Sequence, residues 1–82
     1  MPQVLVVFKV YPKDGELDKA LAGINAQLKP KGTQTEEIGF GIKMIKVLFT
    51  FEDTQNSSSK LEEQLRSIEG VNEVEVAEEE LL

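Results

Sequence analysis

Alternation opens the chain. In "VLVVFKVY" (residues 4–11) the even positions Val4, Val6, Phe8 and Val10 point to one side of an extended strand, and the odd positions Leu5, Val7, Lys9 and Tyr11 point to the other. Both sets carry apolar residues, so the pattern predicts a central strand. "PKDG" (residues 12–15) supplies turn chemistry, and Asp14 is placed to cap a helix. Leu17, Ala20, Leu21, Ile24 and Leu28 then recur at helical spacing. Gly23 inside that stripe costs about 1 kcal/mol relative to alanine. A close approach of helix to sheet would justify it. Pro30 and Gly32 end the helix.

"TQTEEI" (residues 33–38) is weakly strand-like, polar and acidic, which suits an edge. "IKMIKVLFTFE" (residues 42–52) is a stronger strand, with Ile45, Val47, Phe49 and Phe51 on one buried face. The polar run "DTQNSSSK" (residues 53–60) reads as a loop, and Ser59 with Glu62 has capping-box spacing for a second helix. That helix carries Leu61, Leu65 and Ile68. "VNEVEV" (residues 71–76) alternates again, and "AEEELL" (residues 77–82) reads as an acidic, frayed tail. The order is strand, helix, strand, strand, helix, strand. Two split βαβ units predict a single α+β domain over residues 1–82, a ferredoxin-like sandwich. Right-handed crossovers place the first and third strands in the middle of a four-stranded antiparallel sheet, with both helices on one face.

The other face is then bare. It carries Leu5, Val7, Lys9 and Tyr11, then Met44, Lys46, Leu48 and Thr50, then Glu73 and Glu75. Phe40 stands between Gly39 and Gly41, and the position admits two readings. With unbroken pairing, Phe40 and Ile42 share the parity of Met44 and extend an apolar contact surface. With a bulge at the glycines, the phase resets and Phe40 turns into the core. Spacing alone favours the second, because glycine–aromatic–glycine at the start of a strand is a weak signal.

Composition narrows the chemistry. The chain has 82 residues, a formal net charge of −6, no histidine and no cysteine. The usual general base, thiol nucleophile and thiolate or imidazole metal ligands are therefore missing. There is no P-loop signature. The serines at positions 57–59 have no base to activate them. The fold would suit an acylphosphatase, but "YPKDGEL" lacks the arginine; it would suit a copper chaperone, but the cysteines are absent. The expectation is a protein with no intrinsic catalytic site, no cofactor and no metal. The acidic balance disfavours nucleic acid and favours a protein partner with a basic surface. No apolar run is long enough to span a bilayer, and "MPQVLVVFKV" has no signal-peptide pattern. These point to a cytoplasmic protein, monomeric when free. A regulatory module that dimerises through its open sheet face is the alternative.

Four stretches carry a family resemblance: "VLVVFKVYPKDGELD", "EEIGFGIKMIKVLFTFED", "LEEQLRSIEGV" and "VNEVEV". In this order they resemble the archaeal elongation factor 1-beta family and the C-terminal exchange domain of its eukaryotic counterpart. "IGFGIK" (residues 38–43) is the most specific, similar to the family's I-A-F-G-L segment, with Gly39 where alanine is common. The resemblance implies guanine nucleotide exchange on elongation factor 1-alpha, promoting GDP release and GTP loading during cytoplasmic protein synthesis. It implies that Phe40 anchors in the partner GTPase, with Gly39 and Gly41 giving clearance. Burial of one ring is too little for the coupling that exchange needs, so Ile42 and Met44 are expected to share the contact. The sequence departs from the eukaryotic pattern at its end. There a lysine reaches the magnesium site of the GTPase, whereas here no lysine follows Lys60.

Overall fold

The computed structural model describes residues 3–52 and 57–82. Its elements run β1 (Gln3–Pro12), α1 (Leu17–Gln27), β2 (Gly32–Gly39), β3 (Ile42–Glu52), α2 (Ser57–Arg66) and β4 (Val71–Leu81). The strands form one sheet in the order β2-β3-β1-β4, with every neighbouring pair antiparallel. The two most apolar strands are thus central, and the polar β2 and acidic β4 take the edges. This is the ferredoxin-like α+β arrangement that the alternation predicts.

One face of the sheet holds the core. Val6, Phe8 and Val10 of β1 are fully buried with Ile45 and Val47 of β3. Ala20 and Ile24 of α1 and Leu65 of α2 close over them. The rings of Phe8 and Phe49 meet edge to face, with centroids 5.9 Å apart. Each such side chain contributes about 1.5–3 kcal/mol by leaving water. Phe51, expected on the same face, is only half-buried at the end of β3.

Four local expectations are corrected. The residue before α1 is Glu16, which makes no side-chain capping bond, so Asp14 does not cap the helix. The backbone sets that start instead, since the Glu16 N–H donates to the Lys13 carbonyl at 2.9 Å. Helix α2 already includes Ser59, so Ser59 and Glu62 are not a capping box; residues 53–56 of the proposed loop lie outside the described residues. Gly23 approaches Ile68, in the turn after α2, rather than the sheet. A Cβ added there would lie 2.7 Å from Ile68 Cγ2. Finally, the tail is a strand. Glu78, Glu79 and Glu80 pair with Val7, Val6 and Leu5, and a register shift between Val7 and Phe8 accommodates the longer β4. The ladder bonds are made by backbone, so the charge of the side chains does not prevent them. On an outer strand the carboxylates still reach water.

Candidate functional site

The site is built from the tip of the β2–β3 hairpin. Gly39 pairs with Ile42, which leaves Phe40 and Gly41 as a two-residue loop. Their φ angles are 54° and 75°, and Gly39 has φ 111°. Positive φ at both central residues is the mark of a type I′ turn, whose twist matches that of the flanking strands. Glycine adopts this freely. Phenylalanine does not, because its Cβ crowds the backbone.

This geometry explains where Phe40 points. A register shift does occur, between Glu37 and Gly39, and it leaves Ile38 as the extra residue. It does not send Phe40 into the core, because Phe40 belongs to the loop and not to the ladder. The ring has a relative exposure of 105%, and Ile38 and Ile42 beside it are 50% and 54% exposed. Three large apolar side chains therefore stand together in water at one end of the molecule. Met44 is different. It lies on the open face but is only 3% exposed. The structure brings Gly39, Phe40, Gly41 and Ile42 together at the tip, whereas Met44, expected in the contact, is buried and offers no surface to a partner.

Two parts of this end were missed in the sequence. Ile38 read as an ordinary strand residue. The turn between β1 and α1 read only as a connection, yet Pro12–Gly15 and Leu17 form a groove with Phe40–Lys43. The signal that could have located the tip is the X-Gly pair between two alternating runs, a two-residue hairpin signature.

Across the open face Leu5, Val7 and Leu48 are half-buried. They are bordered by an ion pair of Lys46 with Glu36 at 3.3 Å and a long contact from the Tyr11 hydroxyl to Glu75 at 3.5 Å. Desolvation pushes the Tyr11 phenol above its usual value, and the Glu75 carboxylate adds to that. Among the described residues no three acidic, cysteine or histidine side chains are placed to hold a metal ion. No helix among them is long and apolar enough to cross a membrane.

The tip is an exposed apolar knob, and comparison with known proteins says on what kind of protein it sits. Over residues 5–82 the sequence matches the family described as EF-1 guanine nucleotide exchange domain. It is 41% identical to the elongation factor 1-beta of Aeropyrum pernix, across 93% of this chain and 92% of that protein. It is 37% identical to that of Methanosphaerula palustris, across 95% of each. With that of Ignicoccus hospitalis the identity is 39%, across 93% of this chain and 88% of the relative. The matches run through both central strands and the hairpin between β2 and β3, so this chain belongs to the EF-1 guanine nucleotide exchange domain family, and guanine nucleotide exchange in translation elongation is its function.

Proposed function

We propose that the chain, acting as one domain over residues 1–82, drives GDP release and GTP loading on elongation factor 1-alpha by seating Phe40 in an apolar pocket of that GTPase. The observation that carries this is the full exposure of a phenylalanine held at φ 54° on a two-residue turn. Nothing in the folding of the free chain requires it.

An exchange factor works by binding the empty GTPase more tightly than the loaded one. Linkage then weakens nucleotide binding by the same factor. A thousandfold effect takes about 4 kcal/mol. Fully burying one phenylalanine supplies about 1.5–3 kcal/mol, so its neighbours must contribute. Ile42 and Ile38 are exposed beside it and serve as the collar of the anchor. Gly39 and Gly41 hold the turn open. In this reading the chain supplies no catalytic group, binds no cofactor, and works as a cytoplasmic monomer that meets its GTPase without nucleic acid or membrane.

Stopped-flow release of a fluorescent GDP from elongation factor 1-alpha tests the reading. Phe40→Ala leaves the fold intact and lowers stimulated release about ten- to a hundredfold. Normal stimulation by that variant would remove Phe40 from the site.

A further inference from the structure

One ring is too small to be the interface. An aromatic side chain buries about 150–250 Å², whereas a specific complex of standard size covers about 800 Å² per partner. Met44 is buried and adds no surface. What adjoins Phe40 is the groove of about 720 Å³ between the hairpin tip and the β1–α1 turn. Phe40 itself forms one of its walls, so a pocket closing over the ring must set its rim there.

The opposite wall is rigid. The Lys13 N–H donates to the Gly70 carbonyl at 2.7 Å, and the Lys13 carbonyl accepts from the Glu16 N–H at 2.9 Å. The turn is thereby tied to the end of β1, the start of α1 and the entry to β4. A preformed wall loses little freedom on docking. The groove is lined by apolar Leu17 and Ile42, and by Lys13 and Lys43. Both lysines are exposed and make no ion pair among the described residues. Asp14 and Asp18 also line it, so the groove is formally neutral in a protein of net charge −6.

The geometry points to the β1–α1 turn as the second wall of the surface that docks the GTPase. The rim of the pocket that takes Phe40 lies between turn and tip, over Leu17 and Ile42, with Lys13 and Lys43 at its margins. This rests on the Phe40 reading and extends it to a segment remote from the hairpin in sequence.

Amide hydrogen exchange of the full chain, alone and with nucleotide-free elongation factor 1-alpha, tests it. The first amides of α1 have no intrahelical partner and exchange fast in the free chain. In the complex, exchange slows at least tenfold at Asp14, Gly15, Leu17 and Asp18, whose amides are not bonded in the turn, as well as over residues 38–43. The double variant Lys13→Glu, Lys43→Glu raises the concentration for half-maximal GDP release about tenfold and still unfolds in one cooperative urea transition, at a midpoint slightly below the parent's because the net charge becomes more negative. A footprint confined to residues 38–43, or unchanged half-saturation, overturns the groove. Normal stimulation by Phe40→Ala beside a defective lysine variant removes the phenylalanine and keeps the turn.

Discussion

Phe40 is costly to the free chain in two ways. Its ring is wholly in water, and its backbone sits at φ 54°. The left-handed region costs a residue with a Cβ about 1–2 kcal/mol, and type I′ turns ordinarily place Asn, Asp or Gly there. Strain of this kind, held by the surrounding ladder, is a reason to look for function at the residue. It also gives a prediction that separates backbone from ring. Phe40→Ala removes the ring and keeps the strain, whereas Phe40→Gly removes both. Glycine loses about 0.5–1 kcal/mol of that gain to its freer unfolded chain. The glycine variant is therefore more stable than the alanine variant by about 0.5–1 kcal/mol, and both lose the same ring-dependent share of GDP release. Equal urea midpoints would show that the turn relaxes to negative φ and that no strain is stored. The sequence marked this residue by its two glycines, but strand parity could not say where the ring goes. Parity assumes an unbroken ladder, and the extra Ile38 breaks it.

At the scale of elements, β1 and β3 were legible because their alternation is strong and each is buried on the helix-covered face. Their central position followed from topology rules. The far half of β4 was not legible, since Glu78–Glu80 signal a solvated tail while the backbone pairs regardless of charge. Nor was the tie between α2 and β4, which needs the chain folded to bring its partners together. Arg66 at the end of α2 donates to Glu73 at 2.8 Å and to the Val74 carbonyl at 2.9 Å. The Glu73 carboxylate in turn accepts from the Val74 N–H at 3.2 Å. The single arginine thus closes polar backbone groups on the outer strand. The Arg66 hydrogen bond, then the Val74 N–H and the Arg66 charge, hold the Glu73 carboxyl below its usual value. A lowered folded pKa means stability that is present above the unfolded value and lost as pH falls through the folded one. The pair is exposed, so its contribution is small and its pH signature is the better test. Arg66→Gln is less stable than the parent at neutral pH, and the gap narrows in strong acid once Glu73 is protonated in both states. Urea unfolding of the two proteins at both pH values measures it. A gap that stays constant with pH would mean that Arg66 acts only through the Val74 carbonyl.

At the scale of the whole molecule the apolar tip is confined to one end, whereas the acidic side chains are found at both. Its extents are 41, 22 and 17 Å. The strands run along most of the longest, since eleven residues of β3 at about 3.3 Å each cover most of it. The hairpin tip and the β1–α1 turn lie at one end. Glu52, opposite Gln3, and Glu79 and Glu80, opposite Val6 and Leu5, lie toward the other. Acidic side chains also flank the tip end, with Glu36 and Glu37 opposite Met44 and Lys43, Asp14 and Asp18 around the β1–α1 turn, and Glu73 opposite Tyr11, so the negative charge is spread over both ends. The cost falls on the fold, because a net charge of −6 repels itself. Glu78 and Glu80 sharpen it, two residues apart on the same strand and pairing with Val7 and Leu5. Such like charges, about 7 Å apart on one face of the strand, repel by about 0.6 kcal/mol in water at low salt. Raising salt shortens the screening length from about 30 Å at 0.01 M to about 3 Å at 1 M. The chain should therefore grow more stable with added salt. Glu80→Lys replaces one repulsion by an attraction, raises stability by roughly 0.5 kcal/mol at low salt, and loses most of that advantage in high salt. Because position 80 lies far from the tip, the same variant leaves the maximal rate of GDP release unchanged. Urea unfolding at two ionic strengths, paired with the release assay, measures both halves. Stability that falls with salt would mean that attractive pairs such as Arg66–Glu73 outweigh the net repulsion. A lowered maximal rate in Glu80→Lys would place the far end of β4 in the docking surface after all.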